Sequence, residues 1–304
     1  MELFMSVPYT NIAGNSVCKV QQSQTELYQW YLDAFYRIFE SYSCSKEEEC
    51  DDINTSNDMA DREEFISISL KKLIKEFSSY GKKPSTLFDC YSSAPVGGPA
   101  HTYKLAKVNN LPHITPIALN GQAGTEFVQG IEFAGNLDDK IGDGAIIAAS
   151  QMMVWPDLKQ NTSGYNFGDA SASVIISRDY QPGFSKFKIL KADILQFGSD
   201  VDYVCIGKQI EMALENIHLG NSDIKWSIIH NFSNEHNKGL ASIFTASKVL
   251  KRDSFPTTNF GCADPLITLN ECLQTGPDVF KDCGVVWFIG RYNSFGYMIL
   301  SNME

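Results

Sequence analysis

One arrangement of strand, helix and turn occurs twice along this chain. Self-similarity at so long a period requires two halves of one architecture, and it constrains the fold more than any single motif. The first copy opens with Thr86-Leu87-Phe88-Asp89-Cys90 and passes through a Gly/Pro-rich loop and a helix. It reaches a second apolar run, Ile114 to Leu119, which ends at Asn120-Gly121-Gln122. A helix over Ala123 to Phe133 follows, and an Asp143-Gly144 turn feeds the strand Ala145-Ile146-Ile147. The second copy opens with Trp226-Ser227-Ile228-Ile229-His230, has a helix over Gly239 to Leu250, and turns at Pro256 towards Asn259. A helix over Leu266 to Leu273 then leads to Asp282-Cys283-Gly284 and the strand Val285-Val286-Trp287. The offsets agree: Cys90 precedes Gln122 by 32 residues and His230 precedes Asn259 by 29. Gln122 precedes Asp143 by 21 and Asn259 precedes Asp282 by 23. Strands alternating with helices predict an α/β fold with mixed sheets. Packed sheet to helix to helix to sheet, the two halves bring equivalent loops to one place, which would gather Gln122, His230 and Asn259.

Composition narrows the function classes. The chain has 304 residues, 43% of them apolar and only 20% charged, so a sizeable core is expected. Its net charge of −11 argues against nucleic acid as a partner, because a phosphate-binding face must be basic. The eight cysteines show no CxxC spacing and sit in apolar surroundings such as Phe88-Asp89-Cys90 and Val204-Cys205-Ile206. They read as buried free thiols, with neither a disulfide framework nor a metal site. No signal peptide opens the chain and no apolar run is long enough for a membrane span, so a cytoplasmic protein with no membrane partner is expected. Val20 to Ser41 is aromatic-rich and predicts a helix. Residues 44–64 form a polar, acidic loop, and Phe65 to Phe77 has helical spacing. His113 and His236 read as surface or loop residues.

The residues that carry the repeat also carry a likeness. The chain resembles the β-ketoacyl-acyl-carrier-protein synthase III group of the thiolase superfamily over about residues 65–300. Phe167-Gly168-Asp169-Ala170-Ser171-Ala172 looks like that family's F-G-D-G-A-G-A strand, and Asn259 to Leu300 looks like its N-T-S-A-A-S helix and final strand pair. Leu269-Asn270-Glu271-Cys272 stands where L-D-E-A is usual. The resemblance implies a five-layered αβαβα thiolase-like fold built from two similar halves with mixed sheets. Those halves would be residues 1–178, containing the acidic loop 44–64, and residues 179–304. It also implies a dimer formed through the N-terminal half, and no cofactor.

In that family a Cys takes the acyl group while a His and an Asn hold the carbonyl of a malonyl thioester. Here His230 and Asn259 match the His and Asn, but the family's Cys-Ala-Gly reads Gln122-Ala123-Gly124. An amide is neither nucleophile nor leaving group, so condensation through an acyl-cysteine is not expected. Decarboxylation needs only donors aimed at the thioester oxygen, a task His230 and Asn259 could perform with Gln122 as a further pocket donor. The family's Gly-Gly-Gly turn is replaced by Gly290-Arg291-Tyr292. Arg291, Tyr292 and Phe232 are therefore candidate substrate-binding residues, Arg291 as a carboxylate holder or as a side chain that crowds the pocket. Asp264 reads as a helix-start charge, and Asp179 to Asp200 looks short for the family's tunnel-forming segment. Two functions follow from the resemblance. One is a malonyl-type thioester decarboxylase acting on acyl carrier protein or coenzyme A thioesters in a fatty-acid-like or polyketide pathway. The other is a non-catalytic, chain-length-factor-like subunit paired with an active ketosynthase. Direct acyl transfer without an acyl-enzyme is a third.

Overall fold

The computed structural model describes residues 2–12, 62–92, 100–120, 124–137, 141–151, 165–198, 201–290 and 293–303. The expected helix over Val20 to Ser41 lies outside them, as does most of the acidic loop. That loop ends earlier than expected, because helix α1 (Arg62–Ser79) already contains residues 62–64. Ile66, Leu70, Leu73 and Phe77 recur at four- and three-residue steps and are fully buried, while Glu63 and Glu64 occupy the first turn, where acidic side chains suit the helix dipole.

The first half contributes β1 (Leu3–Ser6), β2 (Tyr9–Ile12), β3 (Thr86–Tyr91), helix α2 (Ala100–Val108), β4 (Thr115–Asn120), helix α3 (Glu126–Asn136), β5 (Ala145–Gln151), β6 (Asn166–Phe167) and β7 (Ala170–Ser177). The second contributes β8 (Ser185–Gln196), α4 (Tyr203–Glu215), β9 (Ile224–Ile229), α5 (Asn234–Ala241), β10 (Lys248–Leu250), β11 (Thr258–Asn259), α6 (Asp264–Thr275), β12 (Cys283–Ile289) and β13 (Ser294–Asn302). In the first half the strands run β4-β3-β5-β7-β1, and in the second β10-β9-β12-β13-β8. Numbered over these five strands of each half, with β2, β6 and β11 left aside, both orders are third, second, fourth, fifth, first. Directions repeat as well: β3 is parallel to β4 and β5, and β5 is antiparallel to β7, as β9 is parallel to β10 and β12, and β12 antiparallel to β13. The two sheets join edge to edge where β1 pairs antiparallel with β8, Leu3 opposite Ile189 and Met5 opposite Phe187.

Alternation along each strand sorts the core into three apolar layers. On β5, Ile146 and Ala148 meet α1 and α2, whereas Ala145, Ile147 and Ala149 face the centre. On β12, Val286 and Phe288 face the centre and Val285, Trp287 and Ile289 face α4 and α5. Helices α3 and α6 fill the middle, where the Phe127 and Phe288 rings stack at 5.2 Å. Outer helices, sheet, inner helices, sheet and outer helices make the five layers of an αβαβα thiolase-like fold. Strands covered on both faces read as continuous apolar runs, which is why β5 and β12 were legible as strands.

Two local expectations change. The run Gly239 to Leu250 is not one helix: α5 ends at Ala241 and Lys248–Leu250 is β10, parallel to β9. Its apolar spacing suits a helix, but pairing with β9 takes the last three residues into the sheet. Asp179 to Asp200 is mostly β8, which is held between β1 and β13. Among the described residues no helix is long and apolar enough to cross a membrane.

Candidate active site

His230 stands just beyond the end of β9, and its backbone N–H continues the ladder to Trp287 O at 3.2 Å. The side chain is fully buried. Its Nδ1 accepts the Ile289 N–H at 3.1 Å, so the ring proton sits on Nε2 and points at Asn259 Oδ1, 2.8 Å away. Burial pushes the imidazole pKa below its ordinary 6.5, against the opposing pull of Asp264 and of the hydrogen bond to Asn259. The ring is therefore a neutral Nε2–H donor.

Asn259 ends β11. It does not open helix α6, as the sequence suggests: a short 3-10 turn, Gly261–Ala263, intervenes, and the residue before α6 is Ala263. Oδ1 of Asn259 caps that turn by accepting the Gly261 N–H at 2.7 Å, in addition to the His230 proton. Both donors fix the amide orientation and leave Nδ2 without a hydrogen bond among the described residues. Position is also set from behind. Asn259 pairs with Phe167, Asn259 O accepts the Gly168 N–H at 3.0 Å, and a Cβ on Gly168 would lie 2.6 Å from the Phe260 ring. The Phe167-Gly168-Asp169 motif thus serves as the bed for the Asn259 strand.

Gln122, Arg291 and Tyr292 lie outside the described residues. Their neighbours do converge on the pair. A Cβ on Gly124 would stand 2.0 Å from Ile289 O and 3.2 Å from the Gly290 Cα, so the start of α3 touches the strand end that holds His230. Phe232 is half-buried; its ring lies 5.7 Å from His230, and its N–H donates to His230 O at 2.8 Å. His113 is exposed. His236 is not: it belongs to α5, is half-buried, stacks on Phe295 at 5.4 Å and has its pKa lowered by burial.

Sequence reasoning missed a buried ion pair beneath the site. Asp264 is more than a helix-start charge. It is fully buried, Oδ2 accepts from Arg252 Nη2 at 2.7 Å and from the Phe260 N–H at 3.1 Å, and Oδ1 accepts the Asn231 N–H at 2.9 Å. Arg252 is also buried; it donates to Thr258 O and to Thr268 Oγ1 at 2.8 Å, and lies 5.0 Å from the Phe260 ring centre. Asn237, with its amide turned to suit its neighbours, accepts from the Tyr165 hydroxyl at 2.8 Å and donates to His230 O at 2.9 Å.

Two cysteines approach the site, yet neither is suited to hold an acyl group. Cys262 is fully buried; its Sγ faces Cys90 O and Ser150 O at 3.4 Å, and burial pushes its thiol up to about 12. Cys90 is buried too, with its thiol directed at Glu126 O at 3.3 Å. A nucleophilic thiol needs thiolate character and access, and these sites favour the neutral form or withhold solvent. A surface groove of about 320 Å³, lined by residues including Phe184, Asn270 and Leu273, lies towards the other end of α6, away from His230.

No protein-family model matches the chain, and no curated protein does. Solved structures do. Cerulenin-bound OleA of Xanthomonas campestris superposes with a TM-score of 0.72 at 12% identity, covering 99% of each chain. The 3-oxoacyl-[acyl-carrier-protein] synthase III of Aquifex aeolicus gives 0.68 at 11% identity over 98% of this chain and 99% of that one. ChlB3, an acyltransferase, gives 0.67 at 12% identity over 99% and 98%. The chain has the thiolase-like fold of ketosynthase III enzymes.

Proposed function

We propose that this chain acts on malonyl or acyl thioesters as a ketosynthase-III-like protein without an acyl-accepting cysteine, most directly as a malonyl-thioester decarboxylase. The observation that carries this reading is the buried His230–Asn259 pair, with its neutral Nε2–H and unengaged Nδ2 on facing groups. The thioester carbonyl would receive the Asn259 Nδ2 proton and share the His230 Nε2 proton. When the bond between the α-carbon and the carboxylate breaks, carbon dioxide leaves and the electron pair moves onto the thioester oxygen as an enolate. Preorganised donors stabilise that charge in a dry site. The α-carbon then takes a proton from water, giving the acetyl thioester.

Gln122 belongs to this site as a pocket donor; the support is the packing of Gly124 against Ile289 and Gly290. Arg291 and Tyr292, which follow Ile289 and Gly290, are its substrate-contacting side chains, with Phe232 beside the imidazole. The carrier is acyl carrier protein or coenzyme A, the assembly a dimer, and the halves 1–178 and 179–304. The repeated strand order supports that division.

The test is incubation of the pure protein with malonyl-carrier protein and malonyl-coenzyme A, following acetyl product by mass. Wild type should release acetyl thioester, and His230→Ala should be slower by roughly 100-fold or more. No product from wild type, or equal product from the variant, would sink the reading. The second reading, a non-catalytic partner of an active ketosynthase, is favoured by one observation: the His230 Nε2 proton is already satisfied by Asn259. It requires co-purification with a synthase and pathway flux that His230→Ala leaves unchanged.

A further inference from the structure

We propose that Asp264, held by Arg252, is the positioning residue of the His230–Asn259 pair, one carboxylate that sets both donors at once. The inference rests on the assignment of that pair as the reactive centre, but the geometry behind it does not depend on the substrate. His230 and Asn259 come from different strands, 29 residues apart, and neither is held by a regular element beyond its own residue. After each of them the chain turns away, and the next residue offers a backbone N–H. Asn231 N–H goes to Asp264 Oδ1 at 2.9 Å and Phe260 N–H goes to Asp264 Oδ2 at 3.1 Å. The two loops are thereby tied to the two oxygens of a single buried carboxylate at the first turn of α6.

Arg252 supplies what such a carboxylate needs. Its Nη2 donates to Oδ2 at 2.7 Å, and the same guanidinium donates to Thr258 O, the carbonyl just before Asn259. Thr268 Oγ1 takes another of its protons at 2.8 Å. A buried ion pair of this kind is weak evidence for stability in itself, since replacing both partners by apolar side chains is often neutral. Its value lies in geometry, because a planar fork and a carboxylate fix direction as well as distance. Asn231 reinforces the arrangement: its Nδ2 donates to Thr258 O at 3.1 Å, joining the loop after His230 to the strand of Asn259.

An amide cannot replace this carboxylate. In Asp264→Asn one oxygen remains to accept, while the new NH2 group faces an N–H donor. One of the two loops must let go, and the His230 Nε2 to Asn259 Oδ1 hydrogen bond goes with it. Removing Arg252 acts differently: Arg252→Gln keeps both carboxylate oxygens for the two N–H groups but takes away the fork and the charge that hold the carboxylate, so the two loops loosen together.

The experiment is nuclear magnetic resonance on the full chain, and it needs no turnover. In wild type the ring nitrogens of His230 should give the pattern of a single neutral Nε2–H tautomer. The amides of Asn231 and Phe260 should exchange with solvent at least ~100-fold more slowly than in an unstructured chain. Asp264→Asn should abolish the single-tautomer pattern and remove the protection of one of the two amides, while Arg252→Gln should lower the protection of both together. Asp264→Glu, a carboxylate on a longer stem, should restore part of the protection. Unprotected Asn231 and Phe260 amides in wild type would overturn the proposal even if no variant folds. So would an unchanged His230 pattern in a folded Asp264→Asn. A chain that fails as a decarboxylase could still pass this test, and an active one could fail it, so the two readings fall separately.

Discussion

His230 is a titratable group kept from titrating, and that has a thermodynamic consequence. Burial holds its folded-state pKa below 6.5. The unfolded chain therefore takes up a proton below about pH 6.5 that the folded chain refuses. Stability then falls as the pH drops, at up to about 1.4 kcal/mol per unit, until the folded pKa is passed; above about pH 6.5 the group contributes nothing. His236 is shifted the same way and adds a slope of its own. Comparing wild type with His230→Gln by urea unfolding at about pH 7.5 and 5.5 isolates one of the two. Wild type should lose more stability than the variant across that interval; equal losses would mean that the folded protein protonates His230 as readily as the unfolded chain does. Residues of this kind were legible in the sequence: His230 ends the apolar run Trp226 to Ile229, and Asn259 follows the turn at Pro256 at an offset that matches the first copy. Arg252 and Asp264 were not, because their pairing exists only once β9, β11 and α6 are packed. Before folding, an Asp ahead of Pro265 looks like any helix-start charge.

Among the elements, the approach to α3 is tightly constrained. Gly124 has φ +154, and any side chain there would run into the backbone of Ile289 at 2.0 Å, which no rotamer change relieves. Gly81 offers the control, with φ +71 and nothing within 4 Å of the place a methyl group would take. Gly81→Ala should cost about 1 kcal/mol, the penalty for a left-handed backbone alone. Gly124→Ala should cost about 2–4 kcal/mol, because α3 and β12 must separate. Urea midpoints for the two variants decide the matter; similar losses would show that the α3–β12 contact is soft. Helices with a buried stripe, such as α1, and strands covered on both faces, such as β5, announced themselves through spacing and apolar runs. Residues 239–250 did not. Their apolar positions fit one helix, and only the open edge of β9 accounts for Lys248–Leu250 as a strand.

At the scale of the molecule, the two halves repeat one another and yet share their interior. The central core takes Phe88, Phe127 and Ile131 from the first half and Phe260, Leu266, Phe288 and Met298 from the second. β1 and β8 are hydrogen-bonded across the junction, and Asn270 Nδ2 of α6 reaches Thr10 Oγ1 of β2 at 3.1 Å. Each half on its own would expose one face of its sheet, its share of the inner helices and the unpaired edge of β1 or β8. An apolar area of that extent drives association, and the open edge offers a template for it. The repeat visible in the sequence therefore predicts the architecture twice over but does not predict two independent folding units. Heating the full chain should give one transition, with calorimetric and van't Hoff enthalpies in agreement. Residues 1–178 and 179–304 expressed separately should lack a cooperative melt and precipitate at concentrations the whole chain tolerates. A fragment with its own sharp transition would show that the shared core is an interface between prefolded halves. The site would then owe its geometry to docking: His230 and Asn259 both come from the second half, but the Asn259 strand is bedded on Phe167 and Gly168 of the first, and the spacing of the pair would be lost on its removal.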